Sequence, residues 1–390
     1  MNTLVFSNGT QIKEILVWAI VVIVILFLMI LLVLWISKTK TEKHAKALRN
    51  STVKFRNIFL NNTFSVAVGE VASLSKIDRD GMISAYRELY LKSSKEVKDK
   101  LIAIVSSSDA IPFYLEKAKK RNSDQRLHAY LQLNRIGLAG LKDFFFESAE
   151  KEAEKNDDGK LIAACLLSAA KLSVDENDIN KLVYYINKNG KLARGLQEGL
   201  IVQAAKAVEA VHGDDALVQI FLKLMIKYEH ESSIYTSIIS TIGKLGLDSM
   251  AVQLANIYSK ACNSTSKDAS IIKISCLRAF GGLDSVSNQA TQSLKSGFKD
   301  NDWKVRATSC VSAGLLHLTA LNEELTELLG DKAYYVRLNA ARALMQIGSR
   351  VQLEKIVASS TNKNNDNNSE LDPYRKSVCH YVLNEEVNDA

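Results

Sequence analysis

The chain has 390 residues, 50 Lys and Arg against 43 Asp and Glu, and a net charge of +7. That length allows two ordinary domains or one extended repeat array. Two prolines, Pro112 and Pro373, leave long helices permitted almost everywhere, and five cysteines without a CxxC pair exclude a disulfide framework or a thiol-rich zinc site. Cys165, Cys262, Cys276, Cys310 and Cys379 sit singly in apolar, helix-like stretches. They read as small buried hydrophobes of a reducing compartment.

Residues 1–14 form a short polar tail. Residues 15–36, ILVWAIVVIVILFLMILLVLWI, then run without a charge, a proline or a glycine. Such a run gives about 33 Å of helix, enough for a hydrocarbon layer of about 30 Å. Trp18 and Trp35 lie near its ends, where indole rings favour the bilayer interface. A cleaved signal peptide fits poorly: the run is too long, no basic region precedes it and no small-x-small site follows. The expectation is a retained single span.

Residues 37–61 read as a basic juxtamembrane helix or linker. Lys38, Lys40, Lys43, Lys46, Arg49, Lys54 and Arg56 face one acid, Glu42. The positive flank places the tail outside and the rest of the chain in the cytoplasm, with a bacterial inner membrane as the expected location. Residues 38–56 carry +6 of the total, and residues 1–37 sum to zero, so everything beyond residue 56 is about +1. The basic character therefore belongs to the flank, where it suits anionic lipid headgroups, and gives no broad nucleic-acid footprint. Ala45, Leu48, Thr52, Phe55 and Phe59 fall at helical spacing and define one face, toward the membrane or the rest of the protein.

From residue 62 to 390 no strand alternation is found. Helical segments of about 10 to 18 residues, rich in large aliphatics mixed with Ala, Ser, Gly and Cys, are punctuated by joints such as KNDDGK (155–160), NKNG (187–190), HGDD (212–215) and GGLDS (281–285). They recur every 31 to 40 residues or so and pair with more polar amphipathic helices, the mark of a solenoid. Small residues at helical spacing let neighbouring helices approach closely. Roughly eight helix pairs are predicted between residues 80 and 358. A polar loop, TNKNNDNNSE (361–370), and a closing helix near 373–387 follow. The fold class expected is all-α, an α-solenoid preceded by one transmembrane helix.

One motif repeats outright. DNDWKVRATSCV (300–311) recurs 31 residues later as DKAYYVRLNAAR, matching Asp300, Val305 and Arg306 to Asp331, Val336 and Arg337. Each Asp is expected to cap the second helix of its pair, each Val to start the buried stripe, and each Arg to reach an acid or carbonyl of the adjacent repeat. Cys310 and Ala341, and Leu316 and Ile347, align as buried positions. A third copy is degenerate: Ile274 takes the Val position, Ser275 replaces the Arg and Asp268 is off register by one. This D-x4-V-R pattern resembles the HEAT repeat, and more narrowly the HEAT-like repeats of phycobilisome lyases. The resemblance is specific over residues 285–350 and rests on periodicity upstream.

Chemistry is sparse. The six histidines never pair at metal spacing, no phosphate loop or nucleophile elbow is present, and acidic pairs such as Asp157–Asp158 and Glu323–Glu324 read as caps or solvated faces. No catalytic residue, metal or cofactor is expected. Three adjacent phenylalanines, Phe144 to Phe146, cannot share one buried stripe, so at least one fills a gap between repeats or meets a partner. The resemblance implies protein binding without catalysis: a membrane-anchored scaffold whose partner belongs, by analogy, to an envelope or polysaccharide-synthesis complex. Two alternatives are kept. One is a HEAT-like enzyme, a lyase or a DNA glycosylase, the latter needing a basic cleft. The other is a structural membrane protein that oligomerises through its span, where only Ala19 is small.

Overall fold

A computed structural model describes residues 4–61, 64–155, 159–189, 192–285, 287–358 and 372–388. The joint residues Asp157, Asp158 and Gly190 and the loop 361–370 lie outside the described residues. Every described element is helical, so the architecture is all-α, and two compact units divide at Leu138 and Ala139.

The first unit holds α1 (Leu4–Asn61), α2 (Phe64–Val71), α3 (Lys76–Lys92), α4 (Lys95–Ser106), α5 (Ala110–Ala118) and α6 (Ser123–Ile136). The apolar run and the basic flank thus lie on one uninterrupted helix. From Val17 to Ile36 the side chains are exposed and apolar, and α1 is long and apolar enough to cross a membrane. Its last turns instead pack on α3. Phe55 is fully buried, with Ser51 and Ile58 beside it and Leu48, Thr52 and Phe59 half-buried. Ala45, assigned to that face from spacing, is exposed; the seam begins one turn later and includes Ile58.

The close approach at Gly81 explains this register. A Cβ there would lie 2.6 Å from Ser51 Cβ, so only glycine admits α1 at this point, and Ser51 Oγ donates to Asp78 Oδ1 at 2.8 Å beside it. The N-terminus of α3 is in turn closed by Ser75, whose hydroxyl accepts from the Asp78 amide.

The second unit contains α7 (Lys142–Glu154), α8 (Gly159–Lys171), α9 (Glu176–Lys188), α10 (Arg194–His212), α11 (Asp214–Lys227), α12 (Ser232–Leu245), α13 (Ala251–Cys262), α14 (Ala269–Phe280), α15 (Asn288–Phe298), α16 (Trp303–Leu315), α17 (Asn322–Leu328), α18 (Tyr334–Gln346), α19 (Arg350–Ala358) and α20 (Asp372–Asn388). Even-numbered helices from α8 to α20 pack each against the next, and α13, α15 and α17 pack likewise in a second layer. Antiparallel pairs stacked in two layers are the solenoid plan expected from the period.

Small residues bring the even-numbered layer together. A Cβ on Gly243 would sit 2.4 Å from Ala279 Cα, and one on Gly314 2.9 Å from Ala343 Cα. Phe145 and Phe146 are buried; Phe146 stacks on Tyr185 with centroids 5.7 Å apart, filling the gap between α7 and α9, while Phe144 is half-buried. Four cysteines are buried as expected, but Cys262, at the end of α13, is exposed.

Candidate functional site

The repeated motif sits at the α15–α16 and α17–α18 joints. Val305 and Val336 are fully buried at the starts of α16 and α18, as are Cys310 and Ala341 further along; Ile347 is 9% exposed and Leu316 half-buried.

The two aspartates do not cap the helices. Asp302 is the N-cap of α16, accepting from the Lys304 amide, and Ala333 begins α18 without a side-chain cap. Asp300 and Asp331 stand two residues earlier, where Asp300 Oδ1 accepts from the Asp302 amide at 2.9 Å and Asp331 Oδ1 from the Ala333 amide at 2.8 Å. Each thereby folds the joint into a tight turn. A motif two residues upstream of the helix start shapes the entry rather than the first turn.

The turn also creates an acceptor for the preceding repeat. Arg306 donates from Nε to Asp331 Oδ2 at 2.7 Å and from Nη2 to Oδ1 at 2.9 Å, while its Nη1 reaches the Asp300 and Asn301 carbonyls at 2.8 and 3.1 Å. Arg306 is 7% exposed, and this planar fork is the arrangement a lysine cannot reproduce. Burial pushes the Asp331 carboxyl up, but the Arg306 and Ala333 hydrogen bonds and the Arg306 charge overcome it and hold the group below its ordinary value.

The degenerate copy keeps this tie through a different residue. Lys273, just before Ile274, meets Asp300 Oδ2 at 2.5 Å. Arg337 has the Asp331 and Lys332 carbonyls at 2.7 and 3.1 Å and lies over the Tyr334 and Tyr374 rings. Among the described residues no acid follows it, because the stack passes to α20 instead of another copy of the motif.

A second polar ladder was not expected from the sequence. Arg194, at the start of α10, donates Nε to Glu198 Oε1 at 3.0 Å and Nη2 to Ser240 Oγ at 3.0 Å, Ser275 Oγ at 2.9 Å and the Thr236 carbonyl at 3.3 Å. Lys244 meets Glu198 Oε2 at 2.6 Å. Burial raises the Glu198 carboxyl, and Lys244 and Arg194 together bring it below the ordinary range. The network laces α10, α12 and α14, and Ser275, which stands where the motif has an arginine, is one of its acceptors.

The first unit has its own tie. Asp80 on α3 is 6% exposed and takes Tyr114 Oη of α5 at 2.5 Å and Gln132 Nε2 of α6 at 2.8 Å, with His128 Nε2 at 3.5 Å. Burial disfavours its ionised form, but the hydrogen bonds and the neighbouring positive charge hold its pKa low. A carboxylate so fully engaged is a cross-link between three helices and a poor general base. Among the described residues no group of three or more His, Cys, Asp or Glu is placed to hold a metal.

The membrane-facing residues of the sequence reading lie on α1. Trp18 and Trp35 are 69% and 65% exposed, and Lys38, Lys40 and Lys43 point into solvent beyond Trp35.

These features define a class, an α-helical repeat protein whose repeats are joined by Asp–Arg ties and small-residue seams. Residues 291–369 match the family model of HEAT repeats. HEAT repeats mediate protein–protein interaction, and the match spans the α15–α19 region where the motif recurs. The crystal structure of an engineered protein is similar at 14% identity over 86% of this chain and 98% of its own, with a TM-score of 0.32. No curated protein matches the chain.

Proposed function

We propose that the chain is a single-span membrane protein whose repeats face the cytoplasm and serve as a non-catalytic scaffold for a protein partner. The observation that carries this reading is α1. It is exposed and apolar over Val17 to Ile36, yet its last turns, around Ser51 and Phe55, are built into the first unit. From Ile36 to Ser51 the helix rises about 22 Å. One continuous helix therefore sets the unit at a fixed distance below the bilayer, and the exposed lysines in between meet the headgroup region. A binding module held there raises the effective concentration of any partner in the same membrane without a new contact. By analogy alone, the partner proposed is an envelope or polysaccharide-synthesis complex. The narrower resemblance to phycobilisome lyases rests on the D-x4-V-R spacing alone.

Topology is tested with thiols. Cys262 is exposed and the other four cysteines are buried, so the native chain carries one ready reporter. In intact cells a membrane-impermeant maleimide should label a Ser7→Cys variant at the tail and leave Cys262 unmodified until the membrane is broken. Labelling of Cys262 in intact cells, or recovery of the chain in the soluble fraction, would overturn the reading.

A further inference from the structure

The even-numbered layer carries an open groove of about 430 Å³ between α14, α16 and α18, formed around Ile274, Arg278, Trp303, Lys304, Val311 and Tyr335. Trp303 and Tyr335 stack on each other, with centroids 5.6 Å apart and planes 21° from parallel. These large side chains are well exposed: Trp303 by 39%, Val311 by 40% and Tyr335 by 57%. Contiguous exposed apolar surface of this kind marks an interaction site, whereas scattered single residues do not.

Charge is distributed unevenly around it. Of the nearby acids, Asp300 is committed to Lys273, Asp331 to Arg306 and Glu385 to Arg342, while Asp302 caps α16 by accepting from the Lys304 amide. No acid lines the groove, and among the described residues Arg278 and Lys304 have no acidic partner. Two unneutralised cations thus flank an aromatic floor.

We propose that this groove docks a short acidic peptide segment of a protein partner, with one aromatic or large aliphatic side chain seated on Trp303 and Val311 and its carboxylates meeting Arg278 and Lys304. The inference deepens the scaffold reading and rests on it. A volume of this size suits one anchoring side chain and its neighbours, which is the scale of a linear motif. Trp supplies the binding energy typical of an interface anchor, and the cations supply orientation and association rate. Single-stranded nucleic acid is disfavoured because the two rings spend their facing sides on each other, leaving no slot between them for a base, and because the chain beyond residue 56 is nearly neutral.

The test uses the full chain in detergent or nanodiscs and a random short-peptide display library. Enriched peptides should be net acidic with one aromatic or large aliphatic residue. Their affinity should fall about tenfold for the double variant Arg278→Glu/Lys304→Glu and about thirtyfold for Trp303→Ala. Both variants change exposed side chains, and unchanged circular dichroism and melting confirm the fold. No enrichment, enriched peptides without an acidic bias, or peptides that bind both variants as tightly as the native chain would overturn the proposal. So would oligo-dT binding or concentration-dependent dimerisation that Trp303→Ala abolishes, which would assign the groove to nucleic acid or to a second copy. Affinity capture from membranes separates the two levels of inference. Proteins retained equally by native chain and variants would leave the scaffold standing without this groove; a native chain that retains nothing would remove the scaffold itself.

Discussion

Arg306 and Arg194 do related work in the second unit under different conditions. Arg306 is nearly buried and forks onto one carboxylate, Asp331, whose side chain is 9% exposed and held by a backbone amide. Arg194 has a side chain 35% exposed and spreads its donors over a carboxylate, two hydroxyls and a carbonyl, sharing Glu198 with the still more exposed Lys244. The first tie has no substitute if one partner is lost. The second is redundant and partly hydrated. A buried ion pair is expensive to break, because the remaining charge is stranded, while an exposed one is close to neutral. The two ladders should therefore respond to mutation, acid and salt in different ways.

The largest effect is expected for Asp331→Ala. It strands the Arg306 guanidinium against two carbonyls and also unties the turn at the Ala333 amide. A loss of about 3 to 5 kcal/mol is expected. In a unit of this size that lowers the midpoint of thermal unfolding by roughly 10 °C. The loss should change little between low and high salt, since both side chains are only 9% exposed. A drop of a degree or two would mean that the tie is decoration on a stack held by apolar packing alone.

How much of this could be read in advance depended on whether a residue's partner lay within the repeated motif. Val305 and Val336 repeat in register, and Arg306 finds its acid in the next copy, so the pattern carries the contact within itself. Asp300 and Asp331 were assigned to caps because an Asp before a helix usually is one. In the first copy Asp302 competes for that place and wins it by standing next to the first helical residue. Nothing local could reveal the Arg194 ladder. Apart from Glu198, one turn along α10, its acceptors lie 42, 46 and 81 residues away, and they are serines and a backbone carbonyl, which leave no charge pattern. The seam of α1 was legible in kind but one turn off in register, since Ala45 and Ile58 both satisfy helical spacing. The choice between them was made by Gly81, on another helix.

Acid sharpens the comparison. The Asp331 carboxyl is held below its ordinary value in the folded chain. A group with a depressed native pKa contributes stability that is complete above its unfolded value, near pH 4, and is lost as pH falls through the native one. Unfolding of the native chain should therefore become easier below about pH 4. Removing Asp331 should flatten that dependence, by roughly 1.4 kcal/mol for each unit the native pKa lies below the ordinary value. Denaturant titrations of the native chain and Asp331→Ala at neutral pH and at about pH 3 measure the difference. Parallel curves would place the acid sensitivity in other depressed carboxyls, Asp80 of the first unit among them.

The smallest effect is expected for Glu198→Gln. The substitution removes a charge that Arg194 and Lys244 both use, but Lys244 is 48% exposed and recovers its solvation, and Arg194 keeps Ser240, Ser275 and the Thr236 carbonyl. The amide oxygen can still accept one of the two former hydrogen bonds. A loss of about 0.5 to 1 kcal/mol is expected, shrinking further as salt screens the exposed partner. Pairing Glu198→Gln with Lys244→Ala gives the sharper measurement. If Lys244 contributes through Glu198 alone, the double variant should be no less stable than Glu198→Gln with the lysine present. A strongly additive pair would show instead that Lys244 supports α12 through its aliphatic stem, and the ladder would then end at Arg194.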